Sequence, residues 1–295
     1  MVEPGPDVDI LMIGHFAKDQ IVIDGHTETV SGGGVYYGSV ALRRIGVSAA
    51  VVTRLHAADF PRLKALKEEG VQVFATPALE TSGIENRYNS ADMERRVCKP
   101  LGFAGPIQAT ELPDLSARIQ AIVPIIAGEV DLGLLTTLAA RGPVALDVQG
   151  FVRVRSGDEL VFRPWPDIEA GLACVTYLKL DRAEAELLTG QTDLVEAARR
   201  LAGYGPQEIV ITESSGVIVY VDGKIHEAPF TSRSLVGRTG RGDTCFAVYV
   251  GRRLTTSPEN AVRLAGAITS LKQEKPGPWR GTLTEAEVRL TGRMQ

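Results

Sequence analysis

Towards the carboxyl end of the chain, the run Val236-Gly237-Arg238-Thr239-Gly240-Arg241-Gly242-Asp243-Thr244 leads into a helical stretch over Cys245–Leu254. Glycines just ahead of a helix let the backbone turn sharply and point its N–H groups one way, and the helix N-terminus adds partial positive charge. Gly240, Arg241 and Gly242 therefore have the makings of an anion hole suited to phosphate. A carboxylate at its mouth, Asp243, can take the proton of an attacking hydroxyl. A glycine turn followed by a capping aspartate is written with the same residues, and spacing alone does not separate the two. No G-x-x-x-x-G-K-[ST] string occurs, and no G-x-G-x-x-G follows the first apolar run, which argues against a Walker-type site and a dinucleotide fold.

The rest of the chain alternates between strand-like and helix-like stretches. Asp9–Ile13, Ala49–Thr53, Val71–Phe74, Ile122–Ile126, Val144–Asp147, Val175–Leu180 and Glu208–Thr212 read as strands. Val35–Ile45, Pro61–Glu69, Glu129–Ala140, Ala183–Leu188, Leu194–Ala202, Asp243–Leu254, Pro258–Lys272 and Thr284–Leu290 read as helices. That alternation predicts an α/β fold of three layers around a mainly parallel sheet. Two polar hairpins, Ile21–Val30 and Ile84–Cys98 with a turn at Asn89-Ser90-Ala91-Asp92, fit outside such a sheet as a small β lid. A third hairpin turns at Asp222-Gly223. With no repeat or long linker, residues 1–295 read as one domain with lid segments at about 20–31 and 84–104.

Composition narrows the function classes. With 32 basic and 36 acidic residues the net charge is −4, which gives no broad nucleic-acid or membrane footprint. No apolar run reaches the length of a membrane span. Met1–Asp9 lacks a basic segment followed by an apolar core, so no secretory signal is expected. Three distant cysteines, Cys98, Cys174 and Cys245, and four scattered histidines argue against a disulfide framework or a zinc site, and a reducing cytoplasm is the expected home.

Thr239-Gly240-Arg241-Gly242-Asp243 resembles the C-terminal signature of the PfkB carbohydrate kinases, the ribokinase-like family, in which the last Asp is the catalytic base. Arg241 stands where the family usually has Ala, Arg238 where it has Thr and Gly237 where it has Asp. Backbone N–H groups survive an Ala-to-Arg change, and the Arg241 side chain either reaches a phosphate or is solvated. The resemblance covers nearly the whole chain. It implies that Asp19, five residues beyond Gly14, binds substrate hydroxyls, as an acceptor-only carboxylate can. It implies that Gly32 and Gly33 let substrate approach the backbone. Tyr37 replaces a common Asn, which alters the substrate pocket and makes ribose a poorer candidate.

Further along, Lys179-Leu180-Asp181-Arg182-Ala183-Glu184 matches the family's N-x-x-E region. Glu184 is then implied to act on Mg²⁺ through water, with Asp181 as an added carboxylate for a hard cation. Thr212, Ser214 and Gly216 lie in a segment similar to the family's nucleotide loop, one residue short. Lys179 and Gly277 are the other nucleotide-side candidates, and Trp279 is either an adenine wall or a core aromatic. Asp147-Val148-Gln149-Gly150 sits where related kinases approach the phosphates.

Gly14-His15, the glycines before Tyr36-Tyr37, and Asp147–Phe151 resemble the myo-inositol kinase-like branch. The resemblance implies an ATP- and Mg²⁺-dependent kinase of a sugar or cyclitol, myo-inositol first, with ribose, fructose or nucleoside kinases and a non-catalytic binding protein as alternatives. It leaves open a monovalent cation and the choice between a monomer and a lid-mediated homodimer.

Overall fold

The computed structural model describes residues 6–90 and 92–291. In chain order the strands are β1 (Val8–Ile13), β2 (Ala17–Ile23), β3 (His26–Gly32), β4 (Ala49–His56), β5 (Gln72–Ala78), β6 (Gly83–Asn89), β7 (Asp92–Gly102), β8 (Ala117–Ile122), β9 (Val144–Asp147), β10 (Arg153–Ser156), β11 (Glu159–Phe162), β12 (Tyr177–Asp181), β13 (Glu208–Thr212), β14 (Gly216–Val221) and β15 (Lys224–Pro229). The helices are α1 (Gly34–Arg44), α2 (Lys64–Glu68), α3 (Leu132–Ala139), α4 (Gln149–Val152), α5 (Ile168–Leu172), α6 (Arg182–Thr189), α7 (Leu194–Ala202), α8 (Arg241–Arg253), α9 (Pro258–Gln273) and α10 (Leu283–Thr291).

Nine strands form the central sheet in the order β15-β14-β13-β12-β9-β8-β1-β4-β5. Pairing is parallel from β13 to β5, and the β14–β15 hairpin adds an antiparallel edge. Strand alternation divides the core in two. Ile10 and Met12 of β1 pack with α1, α8 and α9, whereas Leu11 and Ile13 pack with α3 and α7. This is the expected three-layer α/β/α arrangement. Its helices start where the sequence supplies caps: Asp131, Asp181, Asp193 and Ser257 each accept a backbone N–H of the following turn.

A second sheet of four strands, β3-β2-β6-β7, lies outside the first. Its two hairpins are antiparallel, but β2 and β6 join them in parallel, with Gln20 opposite Glu85 and Val22 opposite Arg87. Ala91, at the tip of the expected second turn, lies outside the described residues. Among the described residues, no helix is long and apolar enough to cross a membrane.

Three local readings differ from the sequence. Pro61–Glu69 begins as a 3₁₀ turn over Ala57–Leu63, and only Lys64–Glu68 is α-helical. The strand expected at Ile122–Ile126 is β8, Ala117–Ile122. Beyond it, the Ile125 and Ile126 N–H groups turn to the buried Glu129 carboxylate at 2.8 and 2.9 Å, and Pro124 has no N–H for a ladder. The polar β10–β11 hairpin was not foreseen.

Candidate active site

The parallel strands β9, β12 and β13 end at Asp147, Asp181 and Thr212. Over these carboxyl ends, beneath the lid, lies a cleft lined from the lid by Asp19, Ile84 and Asn86 and from the sheet by Lys179, Asp181 and Thr212. Ligands of open α/β sheets bind outside the carboxyl ends of the strands, as this cleft is placed.

The glycine loop forms one wall. Gly240 caps α8 in the left-handed region, at φ 84°. A Cβ there would lie 2.4 Å from the Tyr37 ring, so the loop rests directly on that ring. A Cβ on Gly242 would lie 3.2 Å from the Lys179 Nζ. Asp243 follows in the first turn of α8, facing the cleft with Arg238, Thr239 and Arg241. Arg241 also stands 5.8 Å from the Phe230 ring centroid. From the lid, Tyr88 shares a 3.1 Å hydrogen bond between its hydroxyl and that of Thr239.

Beneath the loop the charges are tightly coupled. Lys179, 4% exposed, pairs with Asp147 at 3.0 Å. Burial pushes the Lys179 ammonium down, but Asp147, Glu184, Asp181 and Asp243 outweigh it and hold the group above its ordinary range. Burial, and then Asp147, raise the Asp243 carboxyl, against Lys179, Arg153 and Lys272. Asp181 and Glu184 cap α6 reciprocally: Asp181 accepts from the Glu184 N–H at 2.8 Å and Glu184 from the Asp181 N–H at 2.7 Å. Burial lifts Glu184 to about 7, Lys179 opposes this, and Asp181 and Asp147 add to it.

The opposite wall comes from the lid and α1. Asp19 accepts the Ile84 N–H at 2.8 Å, so β6 orients a carboxylate carried on β2. Gly32 makes this possible, since a Cβ there would lie 2.2 Å from the Asp19 Oδ2. Gly33, at φ 90°, brings the N-terminus of α1 against the His15 carbonyl, where a Cβ would come within 2.4 Å.

Of the residues singled out in the sequence, Asp19, Gly33, Tyr37, Lys179, Asp181, Thr212, Gly240, Arg241, Gly242 and Asp243 meet at this cleft. Gly32 stands behind Asp19, and Glu184 is buried in its cap. Ser214, Gly216 and Gly277 do not line the cleft. Gly216 opens β14, tight against the Ala228 carbonyl, and Gly277 turns in open space. Trp279, 5% exposed, packs in the core. Tyr37 is 3% exposed and serves mainly as a floor for Gly240. Asn86, Gln149 and Arg153 line the cleft without having been singled out as site residues. Arg153 donates to the Gln149 side chain at 2.9 Å, one helical turn beyond the noted Asp147–Gly150 segment; Asn86 sits on a lid strand with no motif of its own. Among the described residues no three His, Cys, Asp or Glu side chains converge as a metal site.

A parallel sheet carrying a β lid over a glycine loop is the ribokinase-like arrangement, and this chain is built on it. The chain belongs to the pfkB family of carbohydrate kinases, whose profile matches residues 8–284, and is accordingly a phosphotransferase. It is 38% identical to a pyrophosphate-dependent kinase in the ribokinase family, solved as a sulfate complex, with a TM-score of 0.88 over 94% of this chain and 99% of that one. A pyrophosphate-dependent kinase of the same family, complexed with a pyrophosphate analog and myo-inositol, is 37% identical, with a TM-score of 0.88 over 95% and 99%. The cytidine kinase of Thermococcus kodakarensis is 27% identical over 94% of this chain and 100% of its own length.

Proposed function

We propose that the chain transfers a phosphoryl group from pyrophosphate to a hydroxyl of a cyclitol, with myo-inositol as the favoured acceptor. The observation that carries this reading is a cleft that brings Asp243 together with the lid residues Asp19 and Asn86 and with the cationic side chains of Arg153, Lys179, Arg238 and Arg241. Asp243 takes the proton of the acceptor hydroxyl. The hydroxyl oxygen forms a new bond to phosphorus as the bridging P–O bond of the donor breaks, and inorganic phosphate leaves. The N–H groups at 240–242 and the cations stabilise charge on the transferring group.

Four cationic side chains in a protein of net charge −4 suit a small, highly charged donor, and the relatives that use pyrophosphate share 37–38% identity with this chain. ATP is the second reading, favoured by Thr212 at the end of β13, where the family's nucleotide segment begins. For the acceptor, cytidine is the second reading, from the 27% identical relative. Mg²⁺ fits the donor set: Asp181 lines the cleft and Glu184 caps the same helix turn, two carboxylates of the oxygen type that a hard cation takes. Asp181 at the cleft would hold it, with Glu184 behind through water, in the manner of Mg²⁺ sites completed by phosphate and water. When bound, the ion neutralises charge on the phosphates. The free thiols of Cys98, Cys174 and Cys245 are in keeping with a cytoplasmic home.

The test is a matrix of donors (pyrophosphate and ATP, each with Mg²⁺) and acceptors (myo-inositol, ribose, fructose and cytidine), followed by phosphorus NMR. Inositol phosphate from pyrophosphate is the expected product; turnover of ribose or cytidine but not inositol, or of ATP alone, overturns the acceptor or donor assignment respectively. Asp243→Asn is expected to lower kcat about 10²- to 10⁴-fold with acceptor affinity kept. An unchanged kcat removes Asp243 from the chemistry.

A further inference from the structure

Lys272 lies in the last turn of α9, 1% exposed, and no sequence motif contains it. Its ammonium donates to the backbone carbonyls of Gly237 and Thr239, and it stands 5.0 Å from the centroid of the Tyr37 ring. The same ring supports Gly240. Gly237 is clamped to the end of α9 as well: its N–H donates to the Gln273 carbonyl at 2.8 Å, and a Cβ on it would lie 1.9 Å from the Lys275 carbonyl. The stretch leading into the anion loop is therefore held at two carbonyls by one buried cation.

A monovalent cation that braces a loop does so through carbonyl oxygens, because hard ions take oxygen ligands. Here two carbonyl oxygens of the approach to the anion loop, those of Gly237 and Thr239, are already engaged by Lys272. The carbonyls and the face of Tyr37 favour the charged form of the side chain. Burial pushes the Lys272 ammonium down, to about 7, and Asp243 opposes that shift.

We infer that Lys272 is a built-in substitute for a monovalent cation: its ammonium fixes the 237–239 backbone so that the N–H groups of 240–242 face the donor, and neither K⁺ nor Na⁺ is needed for that purpose. The inference rests on reading 240–242 as the donor's anion site. Lys272 touches the loop and not the substrates, so it is a positioning residue.

The experiment compares thermal midpoint and kcat in potassium, sodium and choline chloride at equal ionic strength, for the unmodified chain and for Lys272→Ala. The unmodified chain is expected to have the same midpoint and a kcat within twofold in all three salts. Lys272→Ala is expected to lose about 10- to 100-fold in kcat and to gain a midpoint that rises with K⁺ or methylammonium but not choline, since a ligand of the native state stabilises it by mass action. A midpoint or kcat of the unmodified chain that rises with K⁺ overturns the inference, as does a Lys272→Ala chain indifferent to every cation. Should Lys272→Ala not fold, the salt series on the unmodified chain decides alone. The midpoint needs no turnover, so it reads Lys272 even where the donor and acceptor matrix yields no product, the outcome that defeats the kinase reading instead.

Discussion

Gly240→Ala tests whether the anion loop is positioned by its contact with Tyr37. Two terms act on the variant. An L-residue in the left-handed region costs roughly 1–2 kcal/mol. The new Cβ would also stand 2.4 Å from the ring atoms Cγ and Cδ1 of Tyr37. These lie at the root of the ring, and Tyr37 is 3% exposed, so it cannot swing aside; overpacking of this kind costs about 1–3 kcal/mol. Gly277→Ala is the matched control: its φ is 78°, but its Cβ would have no neighbour within 4 Å, and it lies off the cleft. At about 2 °C per kcal/mol for a chain of this size, the control is expected to lose about 2–4 °C and Gly240→Ala about 4–10 °C. Relieving the clash lifts the loop off the ring, and a shift on the order of 1 Å is expected to lower kcat about 10²-fold. The acceptor KM is expected to hold, because Asp19 is oriented from the lid. Scanning calorimetry and steady-state kinetics on both variants check this. Equal losses of midpoint, or a Gly240→Ala kcat within about threefold of the unmodified value, would refute the reasoning.

Other expectations follow from the same charges and surfaces. As the proposed base, Asp243 must be ionised to act, and burial with Asp147 raises that carboxyl, so the acid limb of kcat is expected above the ordinary aspartate value of about 3.9. Stability runs the other way: a group with a raised native pKa contributes most below its unfolded pKa, and that contribution is lost as pH rises through the native one. A pH–rate profile and a pH–midpoint series check the opposed signs. Lys179→Met strands Asp147 in the interior and is expected to cost about 3–5 kcal/mol; adding Asp147→Asn is expected to restore part of it, which a double-mutant cycle reads. Val97 and Leu101 on β7, with Phe162 on β11, are 60%, 43% and 49% exposed, and we propose that they seat a lid-mediated homodimer. Light scattering that gives the monomer mass at micromolar concentration would end that proposal.

Local patterns made much of this molecule legible. Val144–Asp147 and Glu208–Thr212 were readable as short apolar runs buried on both faces, with Ala145 and Val210 in one layer and Leu146 and Ile211 in the other, and Leu194–Ala202 as a helix with one buried face. The 122–126 stretch was misplaced because its apolar residues line a turn whose N–H groups are satisfied by Glu129 rather than by a strand. In the cleft, Asp243 and Gly240 stood out through the loop's resemblance to the family signature, since their spacing alone fits a capped turn equally well. Lys272 could not, since it reaches Thr239 across 33 positions from the end of an ordinary helix pattern. Gly32 was linked to the substrate, yet what it accommodates is the carboxylate of Asp19. Motifs reveal which residues gather at a site and say little about which of them touch the ligand and which make room.

The parallel pairing of β2 with β6 also bears on how the chain folds. Asp19 and the Ile84 N–H that orients it are 65 positions apart, with β4, β5 and α1 threaded between them. Local hairpins form early, but joining them requires closure of that long loop, an entropic step rewarded only once the intervening strands have docked. The lid sheet is thus expected to be a late-forming and readily opened unit, and its β2–β6 amides to exchange with solvent faster than those of β1 or β9. The carboxylate proposed to meet the acceptor is, in that sense, expected among the last parts of the protein to be put in place on folding and among the first to be let go.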